Sequence, residues 1–460
     1  MRAMTRTLLI IPLLALVVAP LGGSAGAHQR PRPAAQAVAL PGNAVIGWNN
    51  TAANASLDAC LAPTNNPLHE SRMYTTMHLA IHDALNAIER HSRPYALDIH
   101  LPGASPQAAI AAAAHGVLVP LLQQLPAPFS DCVTGADVVA DVNAAYATAL
   151  DAVPAGVAKT QGVALGEAAA AVMLALRAGD GSDTPLFVTD YPQGTQPGEY
   201  RFTPGQTFVF APGWGDVTPF ALASSLQFTP GPPYPVTSRR YAKDFNEVKR
   251  LGGDGDTTPS DRTPDQTQVA RFWVESSPLQ WNRIARTVAS SRGLDMWKSA
   301  RLFGLLNMAL ADGYIGTFKT KYDVYKYWRP VTAIRAAAND GNPATAADPT
   351  WTELVPTPPI PDYDSGHSVE GGAGSTVLRR FFGSDHAHFS LCSFTLLPGD
   401  TCTDPTPAMR QFSSFSQASQ ENGLSRIMVG FHFRKAVTEG IRHGARVGNL
   451  TVNDYLQPVH

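Results

Sequence analysis

The chain has 460 residues, of which 44% are hydrophobic and 16% are charged, and its formal net charge is −2. This length is enough for a large core, in one big or two smaller units. The near-neutral charge argues against nucleic acid as the main partner, because the chain has no basic excess with which to neutralise phosphates.

The first 27 residues have the pattern of a cleavable signal peptide. Arg2 and Arg6 precede an apolar run from Leu8 to Ala19, and Ala25-Gly26-Ala27 is a small-residue cleavage site. The apolar run is too short for a membrane span, and no later stretch is long and apolar enough to be one. We therefore predict an exported protein, secreted or periplasmic, without a stable membrane span.

The four cysteines fit an oxidising compartment. Cys392 and Cys402 flank a short loop rich in Pro, Gly and Thr, which a disulfide between them would close. Cys60 and Cys132 would then form the second pair and join two helical segments. Four cysteines allow three pairings, and the sequence does not choose among them.

Residues 28–43 are rich in Pro, Ala and Gln and predict a flexible lead-in. Helical patterns follow, including one apolar stripe from Met73 to Ile88 with intervals of three and four residues. Three Ala- and Val-rich segments also predict helices, at 106–122, 135–150 and 157–178. Residues 179–265 lose this periodicity and predict a long irregular region of the kind that often covers a binding site.

Helical patterns resume near Pro264, and the best defined runs from Met296 to Tyr314. Further helices are predicted at 268–273, 281–290, 331–338, after His367, at 422–437 and at 442–455. Alternating strand patterns are almost absent. The predicted fold class is therefore all-α.

After residue 264, three stretches are rich in side chains that bind anions, namely 321–330, 361–370 and 425–434. They contain three cations, two neutral donors and two imidazoles, namely Lys321, Arg329 and Arg426, Ser365 and Gly366, and His367 and His432. A tetrahedral or trigonal-bipyramidal oxyanion needs this mixture, with cations at its equatorial oxygens and an imidazole at an apical position.

The local patterns suggest how these groups are presented. A helix that begins at Ser365-Gly366-His367 would direct free N–H groups towards an anion. Arg426 and His432 lie six positions apart, nearly two helical turns, with the small Gly430 between them. We therefore expect one helix to present both side chains to the same pocket.

In order and content, the three stretches resemble the signature of vanadium-dependent haloperoxidases and type 2 phosphatidic acid phosphatases. That signature reads Lys-x6-Arg-Pro, then Pro-Ser-Gly-His, then Ser-Arg-x5-His-x3-Asp. The surrounding text looks most like the secreted bacterial haloperoxidase-type branch, judged by residues 311–314, 328–335 and 213–220. The resemblance covers most of the chain after the leader and is strongest from about residue 290 onward.

The resemblance implies two helical bundles, with the oxyanion pocket in the C-terminal one. We accordingly expect an N-terminal bundle with long irregular loops over residues 44–265 and a catalytic helical domain over residues 266–460. Carried over by position, Lys321, Arg329 and Arg426 would hold equatorial oxygens, helped by Ser365 and the N–H of Gly366. His432 would be the vanadate ligand or the phosphatase nucleophile, and His367 the acid or base opposite it.

Three departures from the signature matter. Seven residues, not six, separate Lys321 from Arg329, which predicts a bulge or the use of Lys326 instead. Asp364 replaces the usual Pro, where it would raise the pKa of His367 or cap the helix. Ala436 replaces the final Asp, so His432 lacks its usual carboxylate. The remaining candidates for that role are Glu439 and Asp312.

The resemblance leaves three functions to compare. The first is a peroxidase that uses vanadate to oxidise a halide with hydrogen peroxide. The second is a vanadate-inhibited acid phosphatase that needs no cofactor and acts on a phosphate ester through a phosphohistidine. The third is a non-catalytic oxyanion-binding protein. The missing carboxylate at residue 436 counts against the phosphatase, because a nucleophilic histidine gains more from a carboxylate than a metal ligand does.

Overall fold

The structure, a computed structural model, describes residues 42–125 and 135–459, and helices account for most of them. Helices α1 to α5 comprise Ala44–Asp58, Pro67–Ile88, Pro106–Gln123, Gly135–Asp151 and Val157–Leu176. Helices α6 to α10 comprise Arg239–Gly252, Pro264–Phe272, Ser277–Ser291, Met296–Lys319 and Pro330–Ala336. Helices α11 to α13 comprise Gly366–Phe382, Phe415–Met428 and Arg434–Asp454. The predicted all-α class is confirmed.

Side chains at the helix starts explain several of these boundaries. Asn66 and Ser105 each accept a hydrogen bond from a first-turn N–H group, and proline follows each of them at the first helical position. Thr263 and Gln266 form a reciprocal capping box at the start of α7. Asp295 caps α9 through the N–H of Lys298.

Helix α9 lies at the centre of the molecule. Nearly every residue from Ser299 to Phe318 is buried, so the helix is covered on all faces rather than on the one predicted stripe. It packs against α2 of the first half and against α11 and α13 of the second. Its C-terminal end leads directly into the stretch that carries Lys321.

Helix α6 lies inside the region 179–265 that we predicted to be irregular, so that prediction was wrong for residues 239–252. Tyr241, Phe245 and Val248 form an apolar stripe on α6 and are buried, and Ser238 caps its start. The stripe packs in one cluster with Trp328, Phe433 and Ala436. The helix therefore supports the elements that carry the candidate site.

Two small antiparallel ribbons complete the described chain. Strand β1, Phe187–Val188, pairs with β2, Val209–Phe210, and β3, His386–Leu391, pairs with β4, Arg410–Ser414. A disulfide between Cys392 and Cys402, one of the pairings that the sequence left open, closes the connection between β3 and β4.

Some predictions fall on parts of the chain that the structure does not describe. The signal peptide at 1–27, most of the lead-in at 28–43 and the Cys60–Cys132 pairing all involve such residues. Within residues 42–125 and 135–459, no helix has both the length and the apolar character needed to cross a membrane.

Candidate functional site

Lys321 lies in a π-helix, Thr320–Tyr325, that continues α9. A π turn holds one more residue than an α turn, which accounts for the longer spacing between Lys321 and Arg329. Lys321 is completely buried, whereas Lys326 is exposed and has a left-handed backbone with φ of 45°. Lys321 is therefore the lysine directed into the protein, and the alternative, Lys326, points away from it.

Lys321 and Arg329 both donate to the loop that precedes α11. Lys321 Nζ lies 2.8 Å from the carbonyl oxygens of Pro361 and Asp362. Arg329, which immediately precedes α10, donates from Nε to the carbonyl of Ile360 at 2.6 Å. One NH group of Arg329 also donates to the carbonyl of Phe431 at 2.9 Å. The first and third sequence stretches thus meet at the loop 360–362.

Ser365 is the residue before α11, and Gly366 and His367 open the helix. The Ser365 side chain accepts a hydrogen bond from Ser368 Oγ at 2.9 Å and does not cap the first turn. His367 Nε2 lies 3.2 Å from the carbonyl of Glu275, so Nε2 carries the proton and donates it. This places Ser365 and Gly366 at the helix start as expected, while their contact with an anion stays a prediction.

Arg426 and His432 do not share one helix, so that prediction was wrong. Helix α12 ends at Met428, and Gly430 has a left-handed φ of 91°. The Phe431 N–H donates to the Arg426 carbonyl at 3.0 Å and the Gly430 N–H to the Ile427 carbonyl at 3.1 Å, which is a Schellman motif. His432 therefore lies in the connection between α12 and α13, and the turn at Gly430 brings it back towards Arg329.

Arg426 is buried and incompletely paired. It donates to the carbonyl of Trp273 at 2.7 Å, and its guanidinium lies 4.8 Å from the centre of the Phe431 ring. Its Nε has no hydrogen-bond partner in the described structure. A buried donor without a partner is costly and indicates a place for an acceptor that the protein itself does not supply.

A carboxylate does contact His432, but it is neither of the predicted ones. His432 Nδ1 lies 2.8 Å from Asp362 Oδ1, and an NH group of Arg329 lies 3.0 Å from Nε2. The arginine is a donor only, so Nε2 accepts and the proton resides on Nδ1, which donates to Asp362. In this orientation of the His432 ring, the Nε2 lone pair faces Arg329.

Glu439 and Asp312 have other partners. Glu439 binds Lys435 and Arg442 at 2.9 and 2.8 Å. Asp312 accepts hydrogen bonds from the backbone N–H groups of residues 220–222. Asp362 was not among the predicted site residues, although it lies in the same stretch as Ser365. The feature that could have indicated it is a carboxylate three positions before Ser365 in a chain that has alanine at position 436.

Asp364 neither caps α11 nor raises the pKa of His367, so both expectations were wrong. Its carboxylate accepts from His443 Nδ1 at 2.9 Å and from the hydroxyls of Thr317 and Thr320. Burial raises the pKa of Asp364, but the charge and hydrogen bond of His443 outweigh it and hold that pKa below its usual value. The pKa of His367 is instead lowered, by burial and by the charge of Arg426.

The basic side chains of this cluster donate to uncharged oxygens. Lys321, Arg329 and Arg426 are at most 2% exposed, and in the described chain all their hydrogen bonds to oxygen go to backbone carbonyls rather than to carboxylates. Burial and then the charge of Arg329 lower the pKa of Lys321 to about 7 and that of Arg426 to about 9. Burial also raises the pKa of Asp362 to about 7, although Arg329 and Lys321 oppose this shift.

The two histidines are neutral near pH 7. Burial lowers the pKa of His432 well below its usual value, and the charges of Arg329 and Lys321 lower it further. The charge of Arg426 also lowers the pKa of both His367 and His432. In the described chain the three buried basic groups thus form no ion pair with a carboxylate, although the charges of Asp362 and Asp364 act on Lys321. The chemistry of this donor set fits a small, multiply charged oxyanion such as vanadate or phosphate.

His78 and His82 are polar packing groups inside the first half of the chain. His78 Nε2 lies 2.7 Å from the Asn49 amide, and His82 contacts Asp83 and Ser92 at 3.0 and 2.7 Å. Among residues 42–125 and 135–459, no group of three or more His, Cys, Asp or Glu side chains could hold a metal ion.

The part of the chain that carries this site is similar to known proteins. Residues 301–460 match the model of the VCPO second helical-bundle domain, and this range includes all three site stretches. The vanadium chloroperoxidase of Curvularia inaequalis is 26% identical over an alignment that covers 49% of this chain. The aligned part spans 45% of that relative, which is about half of its length.

Solved structures show the same fold over almost the whole chain. The first bacterial vanadium-dependent iodoperoxidase has a TM-score of 0.71 at 23% identity, over 91% of this chain and 97% of that one. A holo-type bacterial vanadium-dependent chloroperoxidase has a TM-score of 0.67 at 17% identity, over 88% of this chain and 95% of that one. The fold and the match over residues 301–460 thus make the chain similar to the vanadium haloperoxidases.

Proposed function

We propose that the protein is a vanadate-dependent haloperoxidase that oxidises a halide with hydrogen peroxide. The observation that carries the proposal is the set of buried cations, Lys321, Arg329 and Arg426, held on backbone carbonyls instead of carboxylates. Positive charge of this kind is unfavourable until an anion binds among it. The known relatives named above are vanadium haloperoxidases, which favours vanadate as that anion.

In this proposal each side chain has a separate task. Lys321, Arg329 and Arg426 hold the oxygens of vanadate and neutralise its charge, and His432 binds it through Nε2. Bound vanadate supplies a Lewis acid that makes hydrogen peroxide reactive towards halide. His367 enters the reaction neutral and donates Nε2–H to the Glu275 carbonyl, so Nδ1 is the atom at which it accepts and returns a proton.

One observation favours a second candidate, the phosphatase. The sequence argument against it was the missing carboxylate at residue 436, and Asp362 supplies a carboxylate on His432 from another element. A histidine oriented in this way is also suited to attack phosphorus. The haloperoxidase stays the first proposal because the relatives are haloperoxidases, and a direct assay separates the two.

The purified protein should be assayed with and without orthovanadate, for peroxide-dependent oxidation of iodide, bromide and chloride and for hydrolysis of an aryl phosphate. We expect halide oxidation only with orthovanadate and its loss in His432→Ala. His115→Ala is the matched control, because His115 lies in α3, outside the three site stretches, and this variant should keep the activity. Phosphate release that orthovanadate inhibits, without halide oxidation, would replace the first proposal by the second.

We also propose export through the N-terminal segment, on the evidence of the charge, apolar and cleavage-site pattern of residues 1–27. N-terminal sequencing of protein recovered from outside the cytoplasm tests this. The mature chain is expected to begin near His28. An intact Met1 on protein confined to the cytoplasm would contradict export.

A further inference from the structure

We propose that Asp362 is the positioning carboxylate of His432 and takes the role that the superfamily signature gives to residue 436, which is Ala in this chain. The inference rests on the proposed function only in that the site binds an oxyanion through His432. It concerns the orientation and protonation of the imidazole, which exist in the protein before any anion binds.

The contact between the two side chains is short and shielded from solvent. Asp362 Oδ1 lies 2.8 Å from His432 Nδ1, and the side chains are 0% and 5% exposed. In so dry an environment a charge-assisted hydrogen bond is strong and holds the ring in one orientation. The bond also fixes the proton on Nδ1, so that Nε2 keeps the lone pair that an anion-binding histidine needs.

Asp362 is held in place independently of His432. Its N–H donates to the Tyr327 carbonyl at 2.8 Å, and its own carbonyl accepts from Lys321 Nζ at 2.8 Å. The loop that carries the carboxylate is therefore fixed by the same stretch that supplies Lys321 and Arg329. A positioning residue must be rigid in this way to define the geometry of the group it contacts.

Residue 436 is unsuited to the task in this chain. Ala436 is completely buried in an apolar cluster with Trp328 and Phe433, and its carbonyl accepts the N–H of Ser365 at 3.2 Å. A second carboxylate there would be buried without a cation of its own and would repel Asp362. The small apolar side chain of Ala436 fits these surroundings.

The first test leaves Asp362 unchanged. Imidazole ¹⁵N chemical shifts of ¹⁵N-histidine-labelled protein, with the His432 signals identified from His432→Gln, report which ring nitrogen carries the proton. We expect a protonated Nδ1 and an unprotonated Nε2 without added vanadate. A proton on Nε2 in the wild-type protein would overturn the proposal, and this result needs no Asp362 variant to fold.

The second test removes the carboxylate. Asp362→Asn should disturb the His432 proton distribution and weaken orthovanadate binding, measured by calorimetry, by about 10- to 100-fold. Asp364→Asn is the matched control, since it makes the same change two positions away at a carboxylate that contacts His443 instead. It should leave the His432 signals unchanged.

Two outcomes of this second test contradict the positioning role. In the first, Asp362→Asn keeps the wild-type His432 signals and the wild-type affinity for orthovanadate. In the second, Asp362→Asn and Asp364→Asn have equal effects, which would indicate general damage to the loop. If the wild-type protein shows the expected proton on Nδ1 and Asp362→Asn moves it, but orthovanadate does not bind, then the positioning role stands and the proposed function fails. The two claims are therefore tested separately.

Discussion

Lys321 is the residue whose protonation responds most directly to an anion. Its pKa is lowered to about 7 because the side chain is buried and lies near Arg329. An anion that binds beside it stabilises the charged form, so binding should draw a proton onto Lys321 near neutral pH. The site is accordingly expected to bind oxyanions more tightly below pH 7 than above it.

Lys321→Arg tests this expectation. The guanidinium stays charged over the whole range, so the variant should lose the part of the pH dependence that comes from residue 321. Orthovanadate affinity, measured by calorimetry from pH 6 to 9, should fall more steeply with pH in the wild type than in the variant. Changes in vanadate itself are common to both proteins and cancel in the comparison. Equal slopes would show that Lys321 does not titrate in the site.

At this same scale, most candidate residues could be predicted from the sequence and one could not. Lys321, Arg329, Arg426 and His432 were recognisable because the signature preserves residue types at nearly fixed spacing. Asp362 was not, because it and His432 are 70 positions apart and meet only through the fold. A signature shows which residue is missing at 436 but not which distant residue replaces it.

Gly430 decides the geometry of the third stretch at the scale of elements. Its left-handed φ of 91° ends α12, and an added Cβ would lie 2.8 Å from Glu353 Cβ and 2.9 Å from the Gly252 carbonyl oxygen. Both the conformation and the close packing therefore require glycine. Without this turn, the backbone of His432 would continue along α12, away from Asp362.

Gly430→Ala should therefore destabilise the protein by roughly 1–3 kcal/mol and weaken orthovanadate binding, because His432 is displaced. Gly399→Ala is the control, since Gly399 has a similar φ of 97° and nothing within 4 Å of an added Cβ. It should cost about 1 kcal/mol and keep the affinity. Urea denaturation gives the free energies of unfolding. Equal losses of affinity in both variants would contradict the role of the turn.

Element boundaries show where sequence patterns carry less information. A single helix was predicted over residues 422–437 with the small Gly430 inside it, whereas Gly430 lies just beyond the end of α12. Helix α6 was missed because the Pro- and Gly-rich segments on both sides hid its short stripe of Tyr241, Phe245 and Val248. The longer spacing after Lys321 left a bulge or the use of Lys326 open, and the π-helix corresponds to the first of these.

Buried acids determine how the stability of the whole molecule depends on pH. Glu70 of α2 is completely buried and contacts the hydroxyls of Ser56 and Ser276. Burial raises its pKa from 4.5 to about 8. Because the folded-state pKa is the higher one, its contribution is fully present below pH 4.5 and is lost as the pH rises to about 8.

Glu70→Gln keeps the neutral form at every pH, so the variant should lose this part of the pH dependence. Relative to the wild type, its free energy of unfolding should increase by up to about 1.4 kcal/mol per pH unit between pH 5 and 8. Denaturant titrations at several pH values measure the difference. Glu167→Gln, at an exposed residue of α5, is the control and should show no such trend. A constant difference between Glu70→Gln and wild type would contradict a neutral Glu70.

The central claim is that three buried cations and two histidines enclose one small, multiply charged oxyanion. Calorimetric titration of the folded protein with orthovanadate tests it most directly, with Arg329→Ala as the comparison. We predict one orthovanadate site per chain and competition by phosphate. Binding to Arg329→Ala should be at least about 10-fold weaker, because this variant lacks the guanidinium that contacts His432 and forms charge-assisted hydrogen bonds to the anion. A folded wild-type protein that binds no orthovanadate, or that binds it equally well without the Arg329 side chain, would contradict the account.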